Sequence, residues 1–229
     1  MQPASTTNRR LSPRIWHTDW LVLKGLTASL GAQMTGHLRS CLKLVDFGCG
    51  SMPYRELVIA HGANYCGADL DKGGDIQINS DGSLPLENSS ADALLSVQVL
   101  EHVRVLDSYC AEIYRVLADD GMLLLSTHGI WLYHPHPEDH RRWTRTRLVV
   151  DLETQGFVVE DMVAIVGPLA TTTLIRLTSF VDVLRRFPIF GEFAALMNVC
   201  TMIADAIISA EVSRDNCVYL VHARQVGCA

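Results

Sequence analysis

No CxxC pair occurs anywhere in the 229 residues, and the seven cysteines are odd in number and widely spaced. Neither a disulfide framework nor a cysteine zinc site is indicated, and a reducing compartment is expected. Basic charge is also scarce: 19 Lys and Arg against 25 Asp and Glu give a net charge of -6, with a pI near 5.8. That balance supplies no general field for a polyanion, so nucleic acid is not an expected partner. Long apolar runs are missing too. The greasiest stretch, 193–210, contains Asn198 and Asp205 and falls short of the ~20 residues a spanning helix needs. The polar start MQPASTTNRRLSPRIW lacks the apolar core of a secretory signal, and the expected location is cytoplasmic. What remains is 48% hydrophobic and 19% charged, the composition of a chain with a substantial core.

Residues 1–16 read as a flexible tail. Apolar positions Trp20, Leu23, Leu26, Leu30 and Met34 then recur at helical spacing within 19–40. From Leu42 the pattern changes to short apolar runs ended by Gly or Asp, each followed by a loop or helical segment, which is the signature of a parallel α/β sheet. Strands are predicted at 43–47, 64–69, 75–79, 92–97, 121–127, 158–165 and 216–224, and helices at 54–61, 106–117 and 145–155. Only Leu70–Gly74 separates the second and third strands, although parallel neighbours normally need a crossover of a dozen residues. Either the crossover helix is lost or 75–79 is not a full strand. Two helical stretches within 168–210 precede the last strand. The expected layout is one domain: tail and helix (1–41), core (42–165), helical insert (166–212) and last strand (213–229).

The first strand exits into Asp46-Phe47-Gly48-Cys49-Gly50-Ser51, where two glycines let backbone N–H groups approach a ligand closely. Pro53 stands where a dinucleotide-binding GxGxxG turn wants glycine or alanine, so a nicotinamide cofactor is disfavoured. A second strand ends in Asp69, 19 residues beyond Gly50, where a carboxylate can accept both hydroxyls of a ribose. Asp81-Gly82 follows the third strand and Gln98 the fourth. Turns after successive parallel strands open on one edge of the sheet, so these residues converge on one crevice.

VDFGCGS at 45–51, GADLD at 67–71, SDGSLPLENSSADALLSVQVLEHV at 80–103 and EIYRVLADDGMLLLST at 112–127 together resemble the class I S-adenosylmethionine-dependent methyltransferases. The resemblance covers about 42–165 and implies a Rossmann-like, mostly parallel seven-stranded sheet with helices on both faces and an antiparallel last strand. It implies S-adenosylmethionine as cofactor. Asp46, Gly48 and Gly50 would frame its methionine part, with Gln98 on the same side. Asp69 would hold the ribose, Leu70 would pack beside the adenine, and Asp81 and Gly82 would meet the ring. Tyr54 either closes this pocket or belongs to the core.

After the fifth strand, residues 127–144 hold four histidines, two acids and three aromatics at the edge where an acceptor would sit. One reading is a proline-stiffened lid in which Trp131, Tyr133 and Trp143 pack. The sharper one makes His134 or His136 a general base oriented by Asp139, with Arg141, Arg142 and Arg145 as a basic patch for an acidic acceptor. The HxHxxDH run also resembles a metallohydrolase ligand set, but carries one residue too many, so no metal ligand is assigned. In 168–210, Phe180, Val183, Leu184, Phe187 and Phe190 suit core or dimer packing, a greasy substrate, or peripheral contact with a membrane. The expected function is methyl transfer to oxygen or nitrogen of a small molecule, glycan or lipid precursor. The alternatives are a metal-dependent hydrolase and a non-catalytic module binding cofactor or membrane.

Overall fold

The computed structural model describes residues 9–38, 42–135, 138–179, 181, 186, 189–207 and 216–225. Seven strands form a single sheet: β1 (Lys43–Phe47), β2 (Asn64–Asp69), β3 (Ile76–Gln77), β4 (Ala91–Val97), β5 (Leu117–His128), β6 (Phe157–Ala164) and β7 (Val218–Gln225). Their order is β3-β2-β1-β4-β5-β7-β6, with β7 antiparallel to both neighbours and the remaining pairs parallel.

The central strands are apolar almost throughout because both of their faces are covered. Side chains alternate across the sheet: Leu44, Leu95 and Leu124 belong to one buried cluster, while Val45, Leu94, Leu123 and Leu125 belong to another. On the first face lie α1 (Trp20–His37), α2 (Arg55–Ala60) and α5 (Pro168–Ser179), which contribute Leu26, Leu30 and Met34, Val58, and Leu174 respectively. On the second, α3 (Leu106–Val116) and α4 (Arg145–Thr154) contribute Ile113, Leu148 and Leu152. The Thr144 hydroxyl caps α4 by accepting from the Arg147 N–H. The last helix, α6 (Phe190–Ile207), packs on α5.

The short link after β2 is explained by how little of β3 is strand. Only Ile76 and Gln77 pair, opposite Ala68 and Asp69 at the very end of β2. The chain therefore needs no helical crossover to return along its neighbour. A local loop suffices, held by Asp75 N–H on the Gly67 carbonyl, the Gln77 amide on the Leu70 carbonyl, and an Arg55–Asp75 ion pair. The expected strand 75–79 is thus shortened at both ends.

The expectation of a flexible 1–16 tail is corrected for its second half. The Thr27 hydroxyl donates to the Arg10 carbonyl at 3.0 Å, and the buried Asn198 amide in α6 donates to the carbonyls of Ile15 and His17. Residues from both ends of the chain thus pin this segment over the sheet edge. Among the described residues, no helix is long and apolar enough to cross a membrane. Phe180, Val183, Leu184 and Phe187 lie outside the described residues, so the apolar face expected there is not placed.

Candidate active site

At the carboxyl edge of the sheet, the turns after β1, β2, β4 and β5 surround a cavity of about 1030 Å³. Its walls include seven of the nine residues expected to hold a cofactor: Gly48, Gly50, Tyr54, Asp69, Leu70, Gly82 and Gln98. Topology alone accounts for the convergence, because parallel neighbours deliver all their C-terminal turns to one side.

The β1 turn is built for close approach. Gly48 has φ +85°, and a Cβ there would stand 2.6 Å from the Val99 side chain, so both its conformation and its clearance require glycine. The N–H groups of Gly48 and Cys49 are taken by the Ala68 carbonyl. Gly50 differs: its N–H donates to Asp69 Oδ2 at 2.6 Å, and, its two chain neighbours aside, no atom of the described residues lies within 4 Å of where its Cβ would be. Asp69 Oδ1 also accepts from the Asp71 N–H at 3.2 Å. A carboxylate at the tip of β2 therefore ties two turns together at the cavity wall. Across the cavity, Gln98 adopts φ +58°, and its backbone N–H and side-chain amide donate to the Ser126 carbonyl and hydroxyl. Holding a non-glycine residue in that region costs on the order of 1 kcal/mol or more and is sustained by such surrounding bonds.

Two of the nine stand elsewhere. Asp46 is buried behind the turn, where Tyr65 Oη donates to it at 2.6 Å. Burial pushes its carboxyl up to about 7, against the opposing pull of the Tyr65 bond and of Arg10. Asp81 is turned back on its own loop: its carboxylate accepts the Ser83 hydroxyl and N–H, which hold its pKa below the ordinary value.

The far end of the cavity is lined by Glu101, His102, His128, Trp131 and His134. His134 is present as expected, and Asp139 sits beneath it, accepting the His134 backbone N–H at 2.7 Å and pairing with Arg142. The Arg142 guanidinium holds the Asp139 carboxyl down at about 2. Arg142 also donates to the carbonyls of Trp131 and Leu132, and Arg141 to those of Val103 and Arg104. These two arginines staple the loop down; they do not form the free basic patch expected of them. His136 lies outside the described residues. Among the described residues, no group of three or more His, Cys, Asp or Glu is placed to hold a metal ion.

Several cavity residues were not singled out from the sequence. Phe47 and Tyr109 stack at 4.6 Å, and Arg9, Arg10 and Asp19 come from the segment expected to be tail and the start of α1, with Arg9 and Asp19 paired at 2.6 Å. His128 and Glu101 form a buried pair. His128 ends an apolar strand, a place where a histidine not needed for packing is a usable signal.

Residues 45–125 match a family model described as a methyltransferase domain. The core of this chain is thus similar to S-adenosylmethionine-dependent methyltransferase domains. Over 150 residues the chain is 27% identical to a probable S-adenosylmethionine-dependent methyltransferase of Mycolicibacterium smegmatis, a match covering 58% of each protein. It thus spans little more than half the length of that curated relative. Among solved structures, the methyltransferase fold superposes on the [4+2]-cyclase SpnF with a TM-score of 0.57 and 18% identity, covering 90% of this chain and 82% of that one. It superposes on Burkholderia thailandensis 1,6-didemethyltoxoflavin-N1-methyltransferase, solved with 1,6-didemethyltoxoflavin and S-adenosylhomocysteine, with a TM-score of 0.56 and 14% identity, covering 88% and 78%. The methyltransferase fold is therefore shared with a cyclase, and activity has to be argued from the site.

Proposed function

We propose that this protein transfers a methyl group from S-adenosylmethionine to an oxygen or nitrogen of a small-molecule acceptor, a class that includes glycan and lipid precursors. The observation that carries the reading is the Asp69 carboxylate, fixed at the cavity wall by the Gly50 N–H at 2.6 Å and backed by an open glycine surface. A carboxylate so placed can accept from the free hydroxyls of a ribose.

In this reading Asp69 holds the ribose. Leu70, Ile78 and Gly82 flank the adenine, and Gly48, Gly50 and Gln98 face the methionine part, with Asp46 behind them and Tyr54 closing the wall. The bound cofactor supplies an electrophilic methyl on a sulfonium. The protein's share is to align the acceptor with it and exclude water. His102, Trp131 and His134 form the acceptor end, the loop carrying His134 being set by Asp139. Contact of 168–210 with a membrane surface would bring such a site to lipid-linked acceptors. No nucleic-acid partner is proposed for this acidic chain.

Calorimetric titration tests the reading. S-adenosylmethionine and S-adenosylhomocysteine are expected to bind 1:1 with micromolar affinity and NADH not at all. Binding of neither sulfur compound, or binding of NADH, would overturn it.

A further inference from the structure

The Glu101–His128 pair at the acceptor end is sealed more completely than packing requires. Glu101 is 0% exposed and His128 3%. Glu101 Oε2 accepts the Thr127 hydroxyl at 2.9 Å, and Oε1 lies 3.0 Å from His128 Nδ1. Both atoms are buried, and among the described residues neither has a hydrogen-bond partner, so their ion-pair contact is what each has nearest to it. The Trp131 ring stacks parallel on the imidazole, with centroids 4.6 Å apart and planes 7° apart, and the Trp143 backbone N–H donates to the His128 carbonyl at 3.1 Å. Position, tilt and rotation of the ring are all fixed. Nδ1 is the nitrogen held against the Glu101 carboxylate, and the ring that carries the other nitrogen, Nε2, lines the cavity.

We infer that His128 is the base that takes the acceptor's proton and that Glu101 is its positioning residue, selecting a protic acceptor, a hydroxyl or an N–H group. The inference rests on the methyl-transfer reading above. In the step, the acceptor's O–H or N–H bond breaks and its proton passes to Nε2. The electron pair left on the acceptor forms the bond to the methyl carbon, and the electrons of the sulfur–carbon bond remain on sulfur, leaving a neutral thioether. Nδ1–H on the Glu101 carboxylate stabilises the imidazolium so formed. Isolating a carboxylate this deeply would ordinarily raise its pKa. The His128 and Thr127 contacts outweigh burial and keep Glu101 low, so the charge needed to orient the ring is available. Among the described residues, the other histidine ring in contact with it is His134, at 6.2 Å between centroids, and beyond that His102 lies 5.8 Å from His134.

The test is on the whole protein without any acceptor. With ¹⁵N-labelled histidine, NMR near neutral pH should show His128 protonated at Nδ1 and bare at Nε2. Diethyl pyrocarbonate should modify that nitrogen. In Glu101→Gln the Nδ1–H tautomer should lose its preference, because the neighbouring anion that favours a proton at Nδ1 is gone. An Nε2–H tautomer, or a His128 that stays unmodified while His102 and His134 react, overturns the inference. The wild-type tautomer decides it even where the variant does not fold. The assigned tautomer in a protein that fails to bind S-adenosylhomocysteine would instead overturn the methyl-transfer reading.

Discussion

Asp69→Ala is expected to weaken S-adenosylmethionine binding at least ~100-fold. A carboxylate that accepts from an uncharged donor contributes about 1.5–3 kcal/mol per bond, and a ribose offers two hydroxyls. Even one such bond at the middle of that range, with partial loss of the other, passes the figure of about 2.8 kcal/mol that corresponds to 100-fold. The side chain also holds the turn, through Gly50 N–H at 2.6 Å and Asp71 N–H at 3.2 Å, so truncation loosens the surface that faces the methionine part. Asp69→Asn should fall between, since its amide keeps one acceptor. Calorimetric titration of both variants, with circular dichroism to confirm an intact fold, measures the effect. An Asp69→Ala protein binding within threefold of wild type would remove the residue from the site.

The second large effect is expected from Asp46→Asn, read as stability against pH. In the folded protein the Asp46 carboxyl titrates at about 7, raised by burial from an ordinary 3.8. With the folded pKa raised, the relative stability Asp46 lends is fully present below about pH 4. It is lost as the pH rises through 7, because the unfolded chain gives up its proton first. The interval of about three units corresponds to a loss on the order of 4 kcal/mol. Asparagine can still accept the Tyr65 hydroxyl and has no proton to lose. The difference in urea unfolding free energy between variant and wild type should therefore shift in favour of the variant by several kcal/mol between pH 4.5 and 8. Parallel curves would mean that Asp46 ionises freely where it is.

The place of Asp69 at the cavity wall was legible in the sequence because it follows from topology: an acid at the end of the second parallel strand must reach the crevice edge, whatever packs below. Gly48 and Gly50 were legible for the same reason. The Asp81 expectation used the same logic but met a two-residue strand. With so little β3 to direct it, the aspartate closed on Ser83. Local hydrogen bonding by a short side chain outcompeted the sheet's geometry there.

The acceptor end was harder. His134 and Asp139 stand out as a cluster within a few residues, whereas Glu101 and His128 are far apart in the chain and meet only because β4 and β5 are neighbours, paired through Val97 and Ser126. Such a pair becomes visible once strand order is known, and not before. Arg9 and Arg10 were hidden for another reason. They sit in a polar segment held by contacts that no periodicity announces: the Arg9–Asp19 ion pair, the Thr27 hydroxyl on the Arg10 carbonyl, and the buried Asn198 amide of a helix far along the chain.

The most direct measurement is a crystal structure of the wild-type protein with S-adenosylhomocysteine. The account predicts the ligand in the crevice at the carboxyl edge of the sheet, with both ribose hydroxyls on the Asp69 carboxylate and its sulfur directed toward the end walled by His128 and Trp131. A ligand bound elsewhere, or bound in the crevice with Asp69 out of contact, would contradict it.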